Sequence, residues 1–91
     1  MNRSQYLYRL IGFIHKKKKR RNPQYTQYFY QLNVHCEKNP EIKKIFAFKT
    51  KLSLAIWQAI EQSKFLGKQY FFACRNYQGS YYLTDWEEIK E

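Results

Sequence analysis

Glycine and proline are scarce, at three and two residues in a chain of 91. That argues against a flexible, low-complexity protein. Cysteine is limited to Cys36 and Cys74, with no Cys-x-x-Cys spacing. Without a secretory signal, two such cysteines read as reduced, packed thiols. His35 and Cys36 are adjacent, so on a strand they point to opposite faces, and His15 and Cys74 are distant in sequence. No metal site is expected from that spacing. No apolar run reaches the roughly 18 residues a membrane helix needs. Residues 1–10 lack the continuous apolar core of a signal peptide, so a secreted or membrane-bound protein is not expected. Acidic residues number seven, and four of them fall in the last seven positions. There is no Gly-rich phosphate loop, no paired carboxylates and no nucleophile beside a base. Neither an enzyme nor a cofactor is expected.

What is present is charge of one sign and aromatic rings. Seventeen Lys and Arg give a net charge of +10, and Tyr, Phe and Trp make up 20% of the chain. Rings favour strands over disorder. A positive field of this size draws polyanions. Coding bias in an AT-rich organellar genome enriches Lys, Tyr, Phe, Ile and Asn and accounts for part of the composition. It does not account for the clustering of charge. A length of 91 residues fits one domain, 1–91, able to bury roughly 60–65% of its unfolded surface.

Periodicity divides the chain. Residues 6–14 are apolar on both faces and read as a first strand, with Gly12 marking a bulge or bend. Six consecutive cations, Lys16, Lys17, Lys18, Lys19, Arg20 and Arg21, then run into Asn22-Pro23. Adjacent like charges before an Asn-Pro break predict a mobile basic loop over 16–24. Residues 25–36 alternate as a second strand, with Tyr28, Tyr30, Leu32, Val34 and Cys36 on one face and Gln27, Phe29, Gln31, Asn33 and His35 on the other. Residues 42–49 are a third strand, with Phe46 and Phe48 inward and Lys43, Ile45, Ala47 and Lys49 outward. Leu52, Ile56, Ala59 and Ile60 fall at helical spacing and predict a helix over 52–64, capped by Thr50 or Ser53 and stopped near Gly67. Residues 68–77 are a fourth strand, with Tyr70, Phe72 and Cys74 inward and Phe71, Ala73 and Arg75 outward. Gln78-Gly79 is a tight turn, residues 80–86 a fifth strand and 87–91 a short acidic tail. Tyr28, Tyr30, Leu32, Phe46, Phe48, Tyr70 and Phe72 are assigned to the core, and Trp57 and Trp86 to packing. A mainly β, five-stranded OB-type barrel with one helix between strands 3 and 4 has this order, and so does an α+β sandwich.

Several segments carry a resemblance. Leu10-Ile11-Gly12-Phe13-Ile14, Tyr30-Gln31-Leu32-Asn33-Val34, Phe48-Lys49-Thr50-Lys51-Leu52 and Leu66-Gly67-Lys68-Gln69-Tyr70-Phe71-Phe72 resemble the bacterial and plastid single-stranded-DNA-binding family. The matches are to its first, second and fourth strands and to the passage from third strand to helix. Each motif is short, and together they span most of the chain. The likeness is nearest to a minimal form, such as the primosomal OB proteins and a small plastid-encoded relative. It implies an OB barrel that binds single-stranded DNA, in plastid replication or repair or in a bacterial cytoplasm, as a dimer or tetramer. The sequence departs from the family at Lys43, where an aromatic residue is usual, and it lacks the family's long acidic-tipped tail.

Binding an unstructured strand needs cations along the phosphate path and flat rings for bases to stack on. The run Lys16, Lys17, Lys18, Lys19, Arg20 and Arg21 supplies the first ingredient. The outward residues Phe29, Gln31, Lys43, Lys49, Phe71 and Arg75 are the candidate face. The competing expectation is an RNA-binding or structural OB subunit of a larger assembly such as an organellar ribosome. The alternative for each outer ring is packing against the helix, a loop or a second subunit, since exposed aromatics often mark protein interfaces.

Overall fold

Alternating apolar residues pull five segments around one core. The structure, a computed structural model, describes residues 7–24 and 27–90. The elements are β1 (Leu7–Arg21), β2 (Tyr28–His35), β3 (Lys44–Ala47), a 3-10 turn (Lys49–Lys51), α1 (Leu54–Glu61), β4 (Gln69–Tyr77) and β5 (Ser80–Glu88). The five strands form a sheet that closes into a ring in the order β1-β2-β3-β5-β4, with β4 returning to β1. All pairings are antiparallel except that of β3 with β5, which meet at Phe46 and Tyr82. The closure excludes an open α+β sandwich.

Closure depends on the length of β1. Its first half pairs with β4, from Leu7 opposite Arg75 to Phe13 opposite Gln69. Its second half pairs with β2, from Phe13 opposite His35 to Arg21 opposite Tyr28. The expected mobile loop at 16–24 is therefore corrected, because the six cations are strand. Alternation sends neighbouring charges to opposite faces, so like charges on one face stand about 7 Å apart and are partly screened. A bulge at His15, between Ile14 and Lys16, resets which residues face inward. The bulge expected at Gly12 is absent. That glycine instead meets a close approach, since a Cβ there would collide with the His35 carbonyl oxygen and the Cys36 Sγ.

Leu10, Ile14, Tyr30, Leu32, Val34, Cys36, Tyr70, Phe72, Cys74 and Leu83 fill the ring, joined by Ile45 and Ala47 of β3. The third-strand assignment is thus reversed: Phe46 and Phe48 lie outside and are only half-buried, while Ile45 and Ala47 have no exposed surface. Truncating a fully buried aliphatic such as Ile45 or Leu83 to Ala costs about 2–5 kcal/mol.

The helix is shorter than the 52–64 expected. Ser53 Oγ accepts from the Ile56 N–H at 3.3 Å and caps its start. Ile56, Trp57 and Ile60 face the core. Its end is met by Lys17, whose Nζ donates to the Ile60 and Glu61 carbonyls at 2.9 and 3.0 Å. A cation there satisfies orphan carbonyls and suits the negative pole of the helix. Gln78 and Gly79 both have positive φ, 53° and 85°, the geometry a two-residue hairpin needs to follow strand twist. Glu87 and Glu88 belong to β5 rather than to an acidic tail. Tyr6, Tyr25 and Glu91 lie outside the described residues.

Candidate nucleic-acid interface

On the outside of β2, β3 and β5, four rings touch. Phe29 stacks on Phe48 at a centroid distance of 4.7 Å and an interplanar angle of 13°. Phe46 meets Phe29 at 6.0 Å and Tyr82 at 5.7 Å, and Phe48 meets Tyr82 at 5.8 Å. Each ring is half-buried by its neighbours. The cluster bridges the place where β3 and β5 close the ring.

Cations border it on several sides. Across β1 and β2, Arg20 is opposite Phe29, Lys18 opposite Gln31 and Lys16 opposite Asn33. Across β2 and β3, Gln31 is opposite Phe46 and Asn33 opposite Lys44. Directly opposed residues share a face, so Lys16, Lys18, Arg20 and Lys44 stand on the ring side. Beyond Tyr82, the register brings in Arg75.

Two concavities extend the surface. One, of about 260 Å³, is lined by Asn22, Gln27, Tyr28, Phe29, Phe48, Lys49 and Thr50. The other, of about 400 Å³, is lined by Glu41, Lys43, Lys44, Phe46, Gly79, Ser80 and Tyr81, among others. Lys43 and Lys49 therefore reach the ring cluster from beyond the ends of β3 rather than from its outer face.

The six-cation run is divided between two jobs. Lys17 and Lys19 take the inward side. Lys17 Nζ lies 4.9 Å from the Tyr30 ring centre and Lys19 Nζ 4.0 Å from that of Tyr28. Arg21 is opposite Tyr28 on the same side. The Tyr28 hydroxyl donates to Glu61 Oε2 at 2.9 Å. That bond, followed by one with Tyr30, pushes the phenol up to about 12. These contacts tie the hairpin of β1 and β2 to the helix.

Other expectations are also relocated. Gln31 is buried, at 6% exposure, so it supports the surface instead of offering contact area. Phe71 is opposite Ile11 and Glu87, away from the Phe29 cluster. It joins Leu7, Ile11 and Phe13 among large side chains left 41–49% exposed. Phe46, Phe48, Tyr82, Asn33 and Lys44 were missed as site residues. The available signal was volume, since a core already holding Tyr30, Trp57, Phe65, Tyr70 and Phe72 has room for Ile45 and Ala47 but not for two more phenyl rings.

Cys36 and Cys74 are buried free thiols. Burial raises both, Cys74 to about 12, so neither is a ready nucleophile. Among the described residues no group of three His, Cys, Asp or Glu side chains could hold a metal ion. No helix among them is long and apolar enough to cross a membrane. Protein-family models show no match to the chain, and a search of curated proteins finds none either.

Proposed function

We propose that the chain is an OB-type, non-enzymatic binder of single-stranded DNA, related to the single-stranded-DNA-binding family that its motifs resemble. The observation that carries this reading is the cluster of Phe29, Phe46, Phe48 and Tyr82 with Lys16, Lys18, Arg20, Lys44 and Arg75 around it. Half-buried rings are ordered platforms for bases, and every base has a face to stack, so binding tolerates sequence. OB domains bind along strands 2 and 3 and between the loops joining strands 1–2 and 4–5. Phe29 lies on β2 and Phe46 on β3, with Phe48 just past the end of β3 and Tyr82 beside them on β5, which supports this reading. Asn22 and Gln27 come from the first connection, and Gly79 from the second. The bias toward residues with AT-rich codons supports a plastid setting, and the resemblance to the single-stranded-DNA-binding family supports a role in DNA replication or repair.

The test is a fluorescence-anisotropy titration with labelled oligo-dT, oligo-rU and a duplex at two salt concentrations. Expected is tight binding of oligo-dT that weakens steeply with salt, with the duplex far weaker. Duplex binding equal to single-strand binding overturns the reading, and stronger binding of oligo-rU moves the ligand to RNA.

The exposed face of β1 and β4 supports a second part of this reading, self-association. Leu7, Ile11, Phe13 and Phe71 form an apolar surface. Arg9 is opposite Ala73, which is opposite Asp85, while Ile11, Phe71 and Glu87 form the next row. Both charge signs flank one apolar stripe, so a second copy turned by a two-fold axis finds Arg9 facing acid. Sedimentation is expected to show a dimer or larger at micromolar concentration, and a monomer there removes the proposal.

A further inference from the structure

Gln31 stands on the outer face of β2, between Lys18 and Phe46 across the strands. It is nevertheless buried, and among the described residues it is the one polar side chain that is. Both ends of its amide are committed. Arginine carries no acceptor, so the atom of Gln31 that meets Arg20 Nη1, at 3.1 Å, is the carbonyl Oε1. The amide nitrogen is then turned to Asn33, and Nε2 donates to Asn33 Oδ1 at 3.0 Å. A buried amide tied at its far end has little freedom to swing, so its carbonyl is a fixed point for Arg20.

Two features decide what that fixed point does. Gln31 is neutral, whereas a carboxylate in its place would orient the guanidinium and also cancel its charge. Among the described residues Arg20 has no carboxylate partner. The bond to Gln31 also uses a single N–H. It leaves the rest of a planar fork whose geometry matches two oxygens of a phosphate. Arg20 is opposite Phe29 in the register, and Phe29 stacks on Phe48 at 4.7 Å. The held guanidinium therefore flanks the ring pair with its charge intact.

We propose that Gln31 is a positioning residue: it holds the Arg20 guanidinium in place before a ligand arrives, so that the free part of the fork grips one backbone phosphate beside the Phe29–Phe48 pair. This inference rests on the single-strand reading above. Lys16 and Lys18 are point charges on flexible stems, which attract phosphate without fixing it. The contribution of Arg20 is geometric as well as coulombic, because a fork already ordered loses little freedom on binding.

Titrations of oligo-dT at several salt concentrations separate the two parts. Arg20→Lys keeps the charge and removes the fork. Affinity is expected to fall about three- to tenfold, the worth of one hydrogen bond, while the slope of log affinity against log salt stays at its wild-type value. Gln31→Met keeps the buried volume and removes the hold, with the same fall and the same slope expected. In an Arg20→Gln background, Gln31→Met is expected to change affinity less than about twofold, because no guanidinium is left to position. A Gln31 needed only for packing would weaken binding equally in both backgrounds, and that result overturns the proposal. So does an Arg20→Lys chain that binds like the wild type. If Gln31→Met fails to fold, nitrogen-15 relaxation of the Arg20 Nε–H in the free wild-type chain decides. An order parameter near the rigid-backbone value of about 0.85 is expected, and one below about 0.6 overturns the proposal. A wild-type chain that binds no oligo-dT, or binds duplex equally well, overturns the single-strand reading instead.

Discussion

On one side of the ring, Phe29, Phe46, Phe48 and Tyr82 lean on one another, with Lys16, Lys18 and Arg20 beside them. On the other, Leu7, Ile11, Phe13 and Phe71 stand 41–49% exposed in a surface that carries acids and bases together. Both surfaces carry exposed apolar groups and both draw residues from β1, yet they suit different partners. Rings held by mutual contact have little freedom left to lose, and a base adds itself as one more layer. Two aliphatic chains and two phenyl rings that do not stack on each other offer no ordered platform for a base, and they gain by being covered altogether. The charges agree with this division. Cations predominate around the rings, as a polyphosphate partner requires, whereas Arg9, Asp85 and Glu87 can balance one another across an interface between like surfaces.

Removing one ring from each surface in turn gives the largest expected effect. Phe46→Ala removes one of the four rings of the cluster and is expected to weaken oligo-dT binding by about 1–3 kcal/mol, the value of one stacked base. Phe71→Ala is expected to change that affinity less than about twofold, which is below 0.5 kcal/mol. It should instead loosen self-association, measured by sedimentation. If the two substitutions affect oligonucleotide affinity equally, the division between the surfaces is wrong and Phe71 returns to the binding face.

Sequence periodicity located all five strands and the helix, and it predicted their order. It placed the inward faces of β2 and β4 correctly because polar residues mark the other face of each, Gln31 and Asn33 in β2 and Gln69 and Arg75 in β4, even though Phe29 and Phe71 share that face. It failed on β3, where Ile45-Phe46-Ala47-Phe48 is apolar throughout and alternation carries no sign. Size then suggests the phenyl groups for the core, but the available volume had already been taken by Trp57 and Phe65, which arrive later in the chain. The basic run misled for a different reason. Its charge repulsion is local and visible in sequence, whereas the Tyr28 and Tyr30 rings and the helix carbonyls that receive Lys17 and Lys19 are supplied by tertiary structure. Part of the site was legible all the same. Phe29 was placed outward by the alternation of its strand, and Lys16, Lys18 and Arg20 were included only because the whole run from Lys16 to Arg21 was selected for its charge.

A subtler contrast lies within the run itself, between alternate cations. Lys16, Lys18 and Arg20 face the rings, while Lys17 and Lys19 face the helix and the tyrosines. Changing the outward three to Gln removes up to three phosphate contacts. The slope of log affinity against log salt is then expected to fall by about 2, at roughly 0.7 for each contact with a single strand. Lys17→Met leaves that slope unchanged, because the ammonium is already committed to the Ile60 and Glu61 carbonyls. Its methylene stem is kept and its charge at the helix end is lost, so the expected cost is about 1 kcal/mol of folding stability. Urea denaturation measures that cost, and salt titrations measure the slope. Alternation along β1 requires the two effects to separate. A slope that falls as much for Lys17→Met as for Lys18→Gln would mean that the run reaches the nucleic acid as an unstructured cluster, with no inward and outward side.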